Sequence, residues 1–180
     1  MPDEPVSRFS SARDPATRDE VDRIVEAWRR ERPDLDVGPL EVLSRLARLA
    51  RHLDRDRAAA FARHGLELWE FDVLAALRRA GPPYQLSPTQ LTGQTLVTSG
   101  TMTNRVDRLL ERGLVRRLPD PADGRGVIVR LTAEGRTVVD LALADLLERE
   151  RTLLAGLSAT RQRELAHLLR QLALRFDDMR

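Results

Sequence analysis

Apolar positions recur at helical spacing through most of this chain. Val21, Ile24, Val25 and Trp28 fall on one stripe and predict a helix over 18–30. It stops before Arg32-Pro33, because a proline pushes the preceding residue out of the helical region. Leu40, Leu43, Leu46, Leu49, Leu53 and Phe61 predict a second helix over 39–63, closed by Gly65, which tolerates the left-handed conformation that ends many helices. A third helix is predicted over 68–79, with Phe71, Val73, Leu74 and Leu77 turned inward, and Gly81-Pro82-Pro83 closes it. Ser87 followed by Pro88 then starts a short helix. Another is expected over 98–113. Then 115–118 and 127–131 are β-rich runs flanking Pro119-Asp120-Pro121-Ala122-Asp123-Gly124, a hairpin pattern. Helices over 133–154 and 159–175 complete the chain.

A helix, a short helix, a turn, a further helix and a two-stranded hairpin is the order of a winged helix-turn-helix. The expected fold is therefore mainly α. A winged helix-turn-helix over 67–132 is set between helices over 18–66 and 133–180, and residues 1–17, which include Pro2, Pro5 and Pro15, form a mobile arm. Wide apolar stripes before Gly65 and after Ala133 call for a partner surface, as in a helical dimer.

Composition narrows the function classes. None of the 180 residues belongs to an apolar run near the roughly 18 needed to span a bilayer, and the start of the chain carries no apolar signal segment. A cytoplasmic protein without a membrane partner is expected. The chain has no cysteine, which excludes disulfides, thiolate metal sites and cysteine nucleophiles. His52, His64 and His167 stand far apart with no second ligand at metal spacing, and no phosphate-cradling glycine loop is present. Neither catalysis nor a cofactor or metal is expected. All 30 basic residues are arginine, against 28 acidic ones, for a net charge of +2. Their distribution is uneven. Residues 1–36 hold seven arginines and ten acidic residues, whereas 87–136 hold eight arginines and five acidic residues. An acidic arm and a basic centre fit an anion-binding middle, and they equally fit ordinary solvated faces.

The residues of that centre have the chemistry of DNA reading. On the helix over 98–113, Met102, Val106, Leu109 and Leu110 form the core side, which leaves Ser99, Thr103, Asn104, Arg105 and Arg108 outward. Short hydroxyl side chains allow close backbone approach, and Asn and Arg pair with adenine and guanine edges in the major groove. Ser87, Thr98 and Ser99 lie at helix starts, where unpaired N–H groups suit phosphate. At the hairpin tip Asp123 and Arg125 are two positions apart, so the aspartate can orient the arginine for a narrow minor groove. Taken separately, the polar face also suits simple solvation, and the tip a plain surface turn.

Two stretches resemble the MarR family of regulators. Ser99-Gly100-Thr101-Met102-Thr103-Asn104-Arg105-Val106-Asp107-Arg108-Leu109 is similar to its recognition helix. The run from Leu114 to Arg125, with Leu131-Thr132-Ala133-Glu134-Gly135 after it, is similar to its wing and the following helix start. The family usually carries arginine where this chain has Gly124, which implies a weaker or less selective wing tip. The resemblance implies a homodimer on double-stranded DNA, reading a pseudo-palindromic operator with half-sites about one helical turn apart.

The added N-terminal helix with its tryptophan resembles a subgroup that responds to urate or trans-aconitate. Its pocket, carried over by context, implies Trp28, Asp72, Arg105 and Arg117 as residues for a small anionic ligand, with Asp72 holding Arg117 in the empty state. The expected function is a homodimeric, sequence-specific transcriptional repressor relieved by such an anion. The alternative is a winged-helix protein–protein adaptor without sequence-specific DNA binding.

Overall fold

The structure is a computed structural model and describes residues 18–95, 97–121 and 126–177. It divides into two compact units, one up to Asp54 and one from Arg55 onward. The expected arm over 1–17 lies outside the described residues, as do Asp123, Gly124 and Arg125 at the wing tip.

The first unit is a helix pair. Asp19 caps helix α1 (Glu20–Glu31) in a reciprocal box with Asp22, each carboxylate accepting the other's backbone N–H at 3.0 Å. Val21, Val25 and Val37 are buried together, with Leu40 against them. Leu40 belongs to helix α2 (Gly38–Ala62), whose first half carries the charged ties to α1. Arg45 donates to Asp19 at 2.7 Å and to Asp22 at 2.8 Å, and the Arg45 hydrogen bond is the main cause holding the Asp19 carboxyl down at about 2. Arg29–Glu41 and Arg48–Glu20 flank this centre.

The second unit is built around helix α3 (Leu68–Arg79), which buries seven of its residues, Glu70 to Phe71 and Val73 to Leu77. Phe71 stacks on Phe61 from the end of α2, with ring centroids 3.8 Å apart. Around α3 pack helix α4 (Pro88–Thr95) through Leu91 and helix α5 (Ser99–Glu111) through Met102, Val106 and Leu109. Strand β2 (Val115–Pro119) and strand β3 (Val127–Leu131) then form the wing, in the register Arg117 opposite Val129. Helix α6 (Ala133–Leu154) lays Val139, Ala142 and Leu146 on the same core. Its Asp145 faces Arg63 and His64 at 3.5 Å each. Helix α7 (Ala159–Asp177) has no buried residue among those whose side chains are described.

One element departs from the expected two-stranded wing. Gln85–Leu86 form strand β1, which pairs antiparallel with β3 and gives a three-stranded sheet in the order β1-β3-β2. Two residues are too few to show an alternating pattern, so nothing in the sequence marks them. They are nonetheless anchored: Leu131 donates its N–H to Tyr84 O at 3.0 Å, and Arg130 donates to the Gln85 side chain.

The junction of α5, β2 and α6 is closely packed. Gly113, at φ +69°, closes α5, and Leu114 N–H returns to Leu109 O at 3.0 Å. Thr132 caps α6, accepting from Gly135 N–H at 3.0 Å while its hydroxyl and N–H both donate to Leu114 O. A methyl at Gly135 would collide with that carbonyl oxygen and press on Leu131. The Gly135→Ala variant is therefore expected to lose about 2–3 kcal/mol of stability, read by urea denaturation, because neither the carbonyl nor the buried leucine can move away. Stability equal to the parent would show that α6 does not pack this closely on the wing.

Candidate nucleic-acid interface

Two caps set the ends of the helix-turn-helix. Ser87 Oγ accepts from Gln90 N–H at 3.2 Å while Gln90 Oε1 accepts from Ser87 N–H at 2.8 Å, a capping box that starts α4. Thr98 is the N-cap of α5, with its hydroxyl accepting from Thr101 N–H at 3.3 Å. Of the residues expected at the DNA, Ser87 and Thr98 thus have their hydroxyls engaged in capping.

The apolar side of α5 is turned to the core as the periodicity predicted, with Leu110 only partly buried. Ser99, Thr103, Asn104 and Arg108 are exposed, and Arg105 is half-buried. Thr103 donates its hydroxyl back to Ser99 O at 3.1 Å, so its methyl is the free end. The hydroxyl, amide and guanidinium groups are therefore displayed together on one exposed helix face. Asp120 N–H bonds to Gly126 O at 2.9 Å and closes the described base of the wing.

Two rungs of charge tie α5 to the start of α3, and sequence reading missed both. Glu70, only 1% exposed, accepts from Arg112 Nη1 at 2.5 Å, and Arg112 Nη2 donates to Gly65 O at 2.9 Å. Glu67 accepts from Arg108 Nη2 at 2.6 Å and from the Trp69 indole N–H at 2.7 Å. These two donors, the indole first, hold the Glu67 carboxyl below the usual carboxylate range. Arg108 and Arg105 lie over the Trp69 ring, 4.7 and 5.5 Å from its centroid. A signal was present: carboxylates at i, i+3 on one helix match arginines at i, i+4 on another. It becomes readable only once the two helices are known to cross.

The four residues carried over for an anion are not paired as expected. Asp72 faces Arg57 at 3.6 Å, while Arg117 pairs with Asp107 of α5 at 2.8 Å. The reason is topological: β2 follows α5 and runs back beside it, so Asp107 is the carboxylate that Arg117 meets. Arg105 is drawn over Trp69. Trp28 sits on α1 and is 48% exposed.

The sequence signature described as "MarR family" matches residues 64–126, from just after α2 to the residue before β3. The chain is 40% identical over 150 residues to the HTH-type transcriptional regulator PecS of Dickeya dadantii, covering 83% of this chain and 90% of that protein. It is 31% identical over 142 residues to the HTH-type transcriptional repressor NicR of Pseudomonas putida, covering 77% and 88%. Sco3205, a MarR family transcriptional regulator from Streptomyces coelicolor solved in complex with DNA, aligns with a TM-score of 0.68 and 25% identity over 77% of this chain and 91% of that one. A mutant of MarR from E. coli complexed with operator DNA aligns at 0.64 and 28%, over 77% and 99%. With this architecture and these relatives, the chain belongs to the MarR family of winged-helix, DNA-binding transcriptional regulators.

Proposed function

We propose that the protein is a homodimeric repressor that reads a pseudo-palindromic operator with α5 and the wing, and that a small anion such as urate or trans-aconitate releases it. The observation that carries the DNA reading is the exposed face of Ser99, Thr103, Asn104 and Arg108 on a helix braced from behind by Glu70 and Arg112. Asn104 is suited to a base edge; Ser87, Thr98 and Ser99 are suited to backbone phosphates through the N–H groups they leave at helix starts. Asp123 and Arg125 are assigned to the minor groove from the sequence pattern alone. The repressor reading draws on the name of NicR.

Dimer formation is supported by apolar surface that a monomer would leave wet. Along α7, Leu165, Leu168, Leu169, Leu172, Leu174 and Phe176 are each 38–65% exposed. The first half of α2 exposes Val42, Leu43, Leu46 and Leu49. The N- and C-terminal helices are thus the proposed dimerisation regions, over 18–66 and 133–180. An adaptor function would leave the Asn104–Arg108 face without a role.

For the anion, the Asp107–Arg117 pair supplies a direct route to α5. An anion that took Arg117 would leave Asp107 unpaired on the recognition helix, with Asp72 and Arg105 as its other proposed contacts within the second unit. Such a ligand acts only if it prefers the released arrangement.

Two experiments test this function. In a gel shift on duplexes selected from a random library, Asn104→Ala is expected to cost about 1–3 kcal/mol and to relax preference at one base. Urate or trans-aconitate should abolish the shift for the parent chain and leave it intact for the Asp107→Asn/Arg117→Ala double variant, in which no unpaired carboxylate is left on α5. Selection that yields no preferred sequence contradicts the DNA reading, and a shift indifferent to both anions contradicts the ligand reading. In the second, the Leu168→Glu/Leu172→Glu double variant is expected to run as a monomer by size-exclusion chromatography with light scattering. It should also lose operator affinity by tenfold or more, since about half of the phosphate contacts go with the second subunit. A dimer of unchanged mass would remove α7 from the interface.

A further inference from the structure

Glu67 stands at the N-cap of α3, across from α5, with both carboxylate oxygens in use. Oε1 accepts from Arg108 at 2.6 Å and Oε2 from the Trp69 indole at 2.7 Å. The same ring lies under the Arg108 guanidinium, 4.7 Å from its centroid, so two contacts fix that group in place. Carboxylate and guanidinium are nevertheless open to solvent, with side chains 57% and 51% exposed. They line an open cleft of about 540 Å³ along with Asn104 and Arg105, and Glu67 is the one carboxylate in that lining. An acidic side chain facing the helix that reads a polyanion opposes binding to every sequence alike. Its presence there calls for a reason.

We propose that Glu67 is a specificity-determining residue: with Trp69 it holds the Arg108 guanidinium off the phosphates, so that Arg108 contributes to binding only on a cognate operator. The proposal rests on the reading of α5 as the DNA-facing helix. An arginine that reaches a phosphate on any duplex adds sequence-independent affinity and steepens the salt dependence. A regulator gains from the ratio of operator to random binding, not from affinity alone. Glu67 cancels the charge of Arg108 in the unengaged state and so lowers the sequence-independent part. An exposed ion pair is weak enough for a correctly docked operator to break, which makes the contact conditional on register.

The charge can be removed without the shape. Glu67→Gln retains an oxygen acceptor for the indole. Binding is followed by fluorescence anisotropy, with one labelled duplex of random sequence and one carrying a selected operator, at salt from about 50 to 200 mM. Glu67→Gln is expected to tighten random-duplex binding about 3- to 10-fold, to steepen its log–log salt slope by about one, and to lower the operator-to-random ratio. Adding Arg108→Ala to Glu67→Gln, which restores the parental charge balance, is expected to return the random-duplex slope to the parental value and to weaken operator binding. A random-duplex slope that falls about one below the parental value in the Glu67→Gln/Arg108→Ala double variant would overturn the proposal, since Arg108 would already be on the phosphates in the parent. Random-duplex affinity unchanged or weakened in a folded Glu67→Gln would overturn it as well. Failure of the parent chain to bind any duplex at low salt would instead sink the DNA reading beneath it.

Discussion

The position of α5 depends on one ion pair whose carboxylate is buried and whose guanidinium is half in solvent. Glu70 is shut off from water within α3, where an unpaired carboxylate is costly, and it is satisfied by Arg112 at the C-cap of α5 together with the Glu67 backbone N–H at 2.9 Å. Removing one partner of such a pair costs about 3 kcal/mol, the low end for buried pairs because Arg112 keeps one edge in solvent. Non-directional hydrophobic contacts through Met102, Val106 and Leu109 hold α5 against α3 without fixing any one polar distance. A charge-assisted hydrogen bond does fix one. Arg112 also reaches Gly65 O, so the end of α2, the start of α3 and the end of α5 meet at one guanidinium.

What the outward face of α5 can do follows from that register. Asn104 and Arg108 project from the side opposite Val106, and Glu67, one turn before Glu70, is brought level with Arg108. The buried rung sets position and the exposed rung modulates charge. On the other flank, Asp107 joins α5 to Arg117 of the wing, and the Thr132–Gly135 cap joins the wing to α6. Movement of α5 would therefore disturb its ties to both α3 and the wing, which is the coupling that a ligand-responsive regulator requires.

Much of this fold was legible in the sequence because its helices are long and strongly periodic. The wing was marked by β-rich runs around Pro119 and Pro121, and the two caps at Ser87 and Thr98 by their residue types. Unpartnered leucines after Ala133 announced a face that α7 leaves exposed. Strand β1 escaped because two residues carry no period. Glu70 escaped because a glutamate is read by default as solvated, and its burial depends on an arginine 42 positions away. The pairing of Asp72 with Arg57, not Arg117, turns on which helix lies beside which, and spacing along the chain cannot supply that.

Hydrogen–deuterium exchange on the full chain, with and without a selected operator duplex, tests most directly whether α5 and the wing are the reading surface. Slowed exchange is expected in peptides spanning α5 and the β2–β3 hairpin, beyond any change in α7. Protection confined to other elements, with α5 and the hairpin unaffected by saturating duplex, would contradict that assignment.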